Sequence, residues 1–214
     1  MPRILCSAFS AAHHFLAQLR DVSIQKDRHR FRSNLRRLGF IMAYEISRTL
    51  PHTSIRITTP LGTAMHEKAE TPVLIAIMRA ALPFLEGFQD VFDDADTGFI
   101  GAYRKEGEGQ GIHVNVDYLA LPVLSGRDVI LIDPMLATGT SLADVVRLLH
   151  KRFNIRSLQL ATLIAAPEGV AYVEKMIGSD TPLWTFQLDE GLNAESQIIP
   201  GLGDAGDLSF GQKC

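Results

Sequence analysis

Apolar runs of strand length recur along this 214-residue chain with helically spaced stretches between them, and no other feature restricts its fold so strongly. The runs are Val73–Met78, Phe99–Tyr103, Val129–Ile132, Leu158–Ala165 and Leu183–Phe186. The helical stretches are Phe84–Val91, Ser141–Phe153 and Glu168–Ile177. A run without polar alternation is a strand covered on both faces, and helices between such strands serve as crossovers. The pattern predicts an α/β fold: a doubly wound, mostly parallel sheet with helices on both faces.

Upstream, Asp27–Leu50 places Phe31, Leu35, Leu38, Met42 and Ile46 on one helical face, and Pro51 ends the helix. Residues 1–52 therefore read as an N-terminal helical segment, after which Ile55 and Ile57 alternate with polar neighbours. Two segments break the rhythm. Residues 104–121 contain Gly107, Gly109 and Gly111 and are expected to form a mobile flap with a short hairpin through Val114 and Val116. Residues 191–214 show no helical period, only Gly, Pro and acids, and are expected to be an irregular tail, either frayed or functional. With no linker or repeat between these parts, residues 1–214 read as a single domain.

Composition narrows the class. Hydrophobic residues at 46% and charged residues at 21% describe a folded globule, not a disordered chain. A net charge of −3 offers no general field for nucleic acid or an acidic membrane, and neither partner is expected. Locally, seven Lys and Arg face two Asp between Arg20 and Arg37, which reads as the solvated side of the helix. The longest strongly apolar stretch, Leu160–Pro167, falls far short of the ~20 residues a membrane helix needs. Arg3 and the run Ile4–Ala12 imitate a secretory leader, but His13, His14 and the charges beyond them favour a cytoplasmic chain. Cys6 and Cys214 lack any metal-ligand spacing, which fits a reducing compartment and no structural zinc.

The sharpest chemical signal is Asp133-Pro-Met-Leu-Ala-Thr-Gly-Thr-Ser141, set between the buried run Val129–Ile132 and the periodic Leu142, Val145, Val146 and Leu149. Taken singly, Thr138 or Thr140 would be a helix cap and Asp133 a turn residue. Together they describe a strand tip carrying an acid, a tight turn, and a helix start rich in N–H and hydroxyl donors. That arrangement suits a phosphate at the helix start and ribose hydroxyls at the acid. No lysine of a nucleotide-triphosphate loop is present. Gly201-Leu-Gly203-Asp-Ala-Gly206 spells a dinucleotide fingerprint, but only eight residues follow it, too few for a helix and a returning strand.

At this point the residues resemble a known family. Asp133–Ser141 resembles the phosphoribosyl-diphosphate loop of uracil phosphoribosyltransferases, a type I phosphoribosyltransferase family, and Ile199–Asp207 resembles their uracil-binding segment. Leu19-Arg-Asp21, Ala43-Tyr-Glu45, Thr59-Pro-Leu61, Met78-Arg-Ala80, Tyr103-Arg104, Ala165–Gly169 and Leu192-Asn193 follow in family order. The resemblance implies transfer of the 5-phosphoribosyl group from 5-phospho-α-D-ribose 1-diphosphate to uracil, giving UMP and diphosphate in pyrimidine salvage. It implies that Asp133, Pro134, Met135, Leu136, Ala137, Thr138, Gly139, Thr140 and Ser141 hold the ribose hydroxyls and the 5′-phosphate. Arg79 and Arg104 would contact the diphosphate, and Ile198, Gly203, Asp204 and Ala205 would surround uracil. Asp133, Arg104 and Asp204 are the implied catalytic residues, with Asp204 also near the sugar or its metal. Mg²⁺ is expected to arrive on the diphosphate, with no ligand set assigned on the protein. A homodimer or tetramer is implied, and GTP activates some members.

Three departures from the family pattern stand out. Ala81 and Pro83 replace usual glycines, Gln197 stands where a tyrosine commonly flanks the base with Ser196 in place of glycine, and Arg104–Gly111 is unusually glycine-rich. They keep two alternatives open: a phosphoribosyltransferase for another nucleobase, and a catalytically silent nucleotide-sensing or RNA-binding regulator of the same fold. Pyrimidine-operon regulators carry two consecutive acids where this chain has Asp133-Pro134, which favours the enzyme.

Overall fold

The computed structural model describes residues 1–104 and 114–213. The chain runs through β1 (Arg3–Ile4), α1 (Ala11–Arg20), α2 (Arg28–Ser47), β2 (His52–Thr59), β3 (Gly62–Ala69), β4 (Val73–Met78), α3 (Leu82–Gln89), β5 (Thr97–Arg104) and β6 (Val114–Ala120). It continues with β7 (Asp128–Ile132), β8 (Met135–Leu136), α4 (Thr140–Arg152), β9 (Ser157–Ala161), β10 (Ile164–Ala165) and α5 (Pro167–Ile177). It closes with β11 (Leu183–Thr185), β12 (Gln187–Leu188), β13 (Gly191–Leu192), β14 (Ile198–Ile199) and α6 (Ala205–Phe210). Seven strands form one sheet in the order β1-β11-β9-β7-β4-β5-β6, parallel except for the β5–β6 pair.

Strand β4 shows why its sequence is apolar throughout. Successive side chains of a strand point to opposite faces. Leu74 and Ala76 enter one core with Leu35 of α2 and Phe84 of α3, while Val73, Ile75 and Ile77 enter another with Val146 of α4 and Val170 of α5. β7 repeats the division, with Ile130 and Ile132 on the first face and Val129 and Leu131 on the second. Each such buried Val, Leu or Ile contributes about 1.5–3 kcal/mol, so a polar residue on either face would be costly.

The sequence expectations hold for this sheet and need correction around it. The N-terminal segment 1–52 is not wholly helical, since it contributes β1 to the sheet edge, and α1 buries Ala12, Leu16 and Leu19 in the first core. Ile55 and Ile57 belong to a hairpin whose second strand, β3, has no apolar run to announce it. Leu158–Ala165 is two strands, interrupted at Thr162 and Leu163. The tail is not wholly irregular, since β13 and β14 pair antiparallel and α6 follows, with Asp204 capping it by accepting the Asp207 N–H at 2.8 Å. β5 and β6 form the expected hairpin, but Gly107, Gly109, Gly111 and His113 lie outside the described residues, as does the side chain of Arg104. Among the described residues no helix is long and apolar enough to cross a membrane.

At the end of the sheet remote from the interrupted strand tips, Asp128 opens β7. It accepts Arg156 Nε at 2.9 Å and Nη2 at 2.6 Å, together with the Ser157 hydroxyl at 2.6 Å, and Arg156 also pairs with Glu70. The Arg156 guanidinium, helped by Ser157, holds the Asp128 carboxyl below its usual range against the opposing effect of burial. A depressed folded-state value means stability that is complete above the unfolded value of about 3.9 and lost as pH falls through the folded one. Asp128→Asn is therefore expected to cost about 1–3 kcal/mol at neutral pH and to flatten the acid side of the stability profile below about pH 4. Thermal melts followed by circular dichroism at stepped pH check both effects.

Candidate active site

Three neighbouring strands stop and restart at the carboxyl end of the sheet. β7 yields to β8 at Asp133-Pro134, β9 to β10 at Thr162-Leu163, and β11 to β12 at Phe186. β8, β10 and β12 then form a small parallel sheet of their own. The Pro134 carbonyl accepts the N–H groups of Leu163 and Ile164 at 2.9 and 3.1 Å, and the Leu163 carbonyl accepts that of Phe186 at 3.1 Å. Proline has no N–H of its own to satisfy at such a step. Asp133 is thus fixed at the step by its N–H, which donates to the Ala161 carbonyl at 3.0 Å, and its carboxylate accepts the Met135 N–H at 3.4 Å.

From β8 the chain turns through Ala137, Thr138 and Gly139 into α4. Gly139 has φ 79° and ψ −8°, a left-handed conformation, and no side chain caps the helix among the described residues. The first N–H groups of a 13-residue helix and its positive dipole end are thereby presented to a ligand. The Thr138 and Thr140 hydroxyls lie 3.3 Å apart over this start. The turn is seated on α5, where a Cβ at Gly169 would come within 2.1 Å of the Ala137 carbonyl oxygen. Only glycine permits two backbones to meet so closely.

The opposite wall comes from the last quarter of the chain. β13 and β14 fold back on each other, the Leu192 N–H donates to Glu168 Oε1 at 3.2 Å, and Ile198 and Leu202 anchor the segment in the first core. Between the walls opens a cleft of about 830 Å³. Asp133, Met135, Ala137 and Ser141 of the loop line it, together with Ile198, Gly203, Asp204 and Ala205 of the last segment and Arg79 from the end of β4. Pro134, Leu136 and Gly139 are buried behind the loop and shape it without facing the cleft, and the half-buried Thr138 and Thr140 are not among the lining residues either. Arg79 Nη2 donates to Asp207 Oδ1 at 2.6 Å and to the Gly211 carbonyl at 3.1 Å, so this arginine joins the end of β4 to α6. Lys213 also lines the cleft.

The family model described as uracil phosphoribosyltransferase matches residues 7–212. The chain belongs to the uracil phosphoribosyltransferase family. A member of that name from Porphyromonas gingivalis is 38% identical over 205 residues, 95% of each chain. Another, from Acidovorax sp. (strain JS42), is 42% identical over 186 residues, covering 86% of this chain and 87% of its own. Among solved structures, the AQ2163 protein of Aquifex aeolicus superposes with a TM-score of 0.87 at 31% identity, covering 99% of this chain and 98% of that one. A hypoxanthine-guanine phosphoribosyltransferase from Bacillus anthracis, at 17% identity, TM-score 0.53 and coverage of 74% and 81%, shares the fold alone.

Two of the three departures from the uracil phosphoribosyltransferase pattern can be placed in the structure, the glycine-rich stretch after Arg104 lying outside the described residues. Ala81 precedes α3 with φ −71° and ψ −18°, a conformation open to any residue, and Pro83 stands in the first turn of α3, where its missing N–H costs nothing. Ser196 differs: its φ of 61° is one that glycine adopts without strain. Ser196→Gly is expected to raise Tm by about 1–3 °C, the strain relieved exceeding the entropy lost, as differential scanning calorimetry would show. Gln197 is held by Asn193, whose Nδ2 donates to Gln197 Oε1 at 3.0 Å and whose Oδ1 accepts the Gln197 N–H at 2.8 Å. Asn193, Glu168 and Gly169 belonged to short motifs that carried no role in the sequence. Their work is to shape the two loops, and only the fold reveals it.

Proposed function

We propose that the protein transfers the 5-phosphoribosyl group of 5-phospho-α-D-ribose 1-diphosphate to uracil, giving UMP and diphosphate. One observation supports the reading: a helix start with no side-chain cap and a segment rich in main-chain donors and acceptors border the same cleft. The N–H groups at the start of α4, with the Thr138 and Thr140 hydroxyls, take the 5′-phosphate, and the Asp133 carboxylate accepts the vicinal ribose hydroxyls. Backbone groups of Ile198–Ala205 read the alternating donors and acceptors on the uracil edge. Cytosine would leave one of them buried and unpaired, which discriminates more strongly than shape.

In the reaction a uracil ring nitrogen forms its bond to C1 of the sugar as the bond from C1 to diphosphate breaks, and the ring nitrogen gives up its proton. Positive charge develops on the sugar, so alignment and electrostatics carry the catalysis, with no covalent nucleophile required. Asp133 and Asp204 place negative charge along the cleft. Arg79 and Arg104 are assigned to the diphosphate; for Arg79 this means sharing its guanidinium with Asp207. Among the described residues no three His, Cys, Asp or Glu side chains come together as a metal cage. Two cleft carboxylates, Asp133 and Asp204, suit a magnesium ion that keeps its waters and is carried by the substrate phosphates. When bound, that ion neutralises charge on the departing diphosphate.

The proposal extends to a cytoplasmic enzyme working as a homodimer or tetramer. The β2–β3 hairpin, a two-stranded sheet separate from the central one, exposes Ile55, Leu61 and Met65, and a second copy would cover them. Light scattering tests the assembly. Purified protein with Mg²⁺, the sugar diphosphate and uracil is expected to form UMP, measured with and without GTP and against a panel of bases. No UMP under any of these conditions, or another base used tenfold better, would overturn the reading.

A further inference from the structure

The base-facing segment is held from behind by side chains near the start of the chain. Asp189 has a fully buried carboxylate, and Arg20, 18% exposed, grips it with Nη1 at 2.9 Å and Nη2 at 2.6 Å. The same pair closes on Gly201: its N–H donates to Asp189 Oδ2 at 3.0 Å, and its carbonyl accepts Arg20 Nη1 at 2.9 Å. Both main-chain groups of this residue are therefore satisfied by one ion pair. Gly201 sits in a tight turn with φ 60°, where a Cβ would come within 2.2 Å of the Ile198 carbonyl oxygen. One residue on, the Leu202 carbonyl accepts Gln25 Nε2 at 3.2 Å, and that amide also donates to the Leu19 carbonyl at 2.9 Å. Near the end of the segment the Ser209 carbonyl accepts Arg32 Nη1 at 2.7 Å.

The basic stretch between Arg20 and Arg37 is thus more than a solvated helix face. Two of its arginines and Gln25 donate to main-chain carbonyls of residues 201–209, the part of the chain that lines the base side of the cleft. Neither Arg20 nor Asp189 lines the cleft itself.

We propose that Arg20 and Asp189 are positioning residues that set the backbone of Gly201–Ala205, and through it the affinity for the base, without touching either substrate. The inference rests on the proposed function, because it takes this wall to be the uracil side. Arg20 uses its planar fork to hold a carboxylate and a carbonyl at once, which an ammonium on a flexible stem cannot reproduce.

Arg20→Lys keeps the positive charge beside the buried carboxylate and removes the fork. It is expected to raise KM for uracil about tenfold while KM for the sugar diphosphate stays within about twofold. Asp189→Asn, which keeps an acceptor for the Gly201 N–H and removes the charge that Arg20 grips, is expected to raise KM for uracil about threefold and decides the matter if the lysine variant does not fold. Amide hydrogen exchange supplies a readout independent of turnover. Exchange at Leu202–Ala205 is expected to quicken about tenfold in the variants while β4 and β7 are unchanged. Both KM values rising together, or an unchanged uracil KM, would overturn the inference. A wild-type protein that makes no UMP would instead overturn the function, and unchanged exchange at Leu202–Ala205 would still defeat the positioning role.

Discussion

Asp133→Asn is expected to lower kcat/KM for the sugar diphosphate by about 100- to 1,000-fold while Tm moves by no more than about 2 °C. The substitution preserves size and retains an oxygen for the Met135 N–H, which the carboxylate accepts at 3.4 Å. What it removes is charge and acceptor capacity. A carboxylate can accept from both vicinal hydroxyls of a ribose, whereas an amide offers one acceptor and one donor. Loss of negative charge beside a sugar that becomes positive in the transition state falls on kcat more than on binding, because that charge is absent in the ground state. Steady-state kinetics with a parallel melt separates the two, and a loss below about fivefold would remove Asp133 from its assigned role.

Gly169→Ala sets two effects of opposite sign against each other. Alanine is the better helix former by about 1 kcal/mol, so propensity alone predicts a stabler α5. Here, however, the new Cβ would lie 2.1 Å from the Ala137 carbonyl oxygen and 3.1 Å from that of Leu136, both backbone atoms with no rotamer to yield. The clash wins, and the loop must move away from α5. A displacement of about 1 Å in a loop that positions a phosphate costs about 100-fold in kcat/KM. A fall in Tm is expected alongside it, and a variant as stable and as active as the parent would refute the seating of the loop on α5.

What the sequence disclosed and what it concealed follow one physical division. Strands such as β4 and β7 were legible because burial on both faces forces an uninterrupted apolar run, a local signal. The turn from Asp133 into α4 was legible because the acid, the turn glycine and the helix start are consecutive in the chain. β3, Gly-Thr-Ala-Met-His-Glu-Lys-Ala, left no such mark, since both faces of its hairpin are largely exposed. α6 was hidden by its shortness and by the glycine inside it. Leu158–Ala165 read as one strand because residues on either side of the step are equally buried, and what breaks it is a hydrogen bond to Pro134 contributed by another part of the chain. The grip of Arg20 on Asp189 spans 169 positions and has no local signature at all. Arg79 was placed correctly at a strand end facing the cleft, but its partner Asp207 lay beyond any argument from spacing.

That same long span bears on how the protein is made. Synthesis delivers Arg20 well before Asp189 and Gly201, so the wall built on them cannot close until both of those residues have left the ribosome. Until then Arg20 lacks the carboxylate it grips, and the turn at Gly139, seated on α5 once that helix is made, has no facing wall. The nascent chain can acquire one half of the cleft before the other, and the cleft is whole only when these distant residues meet.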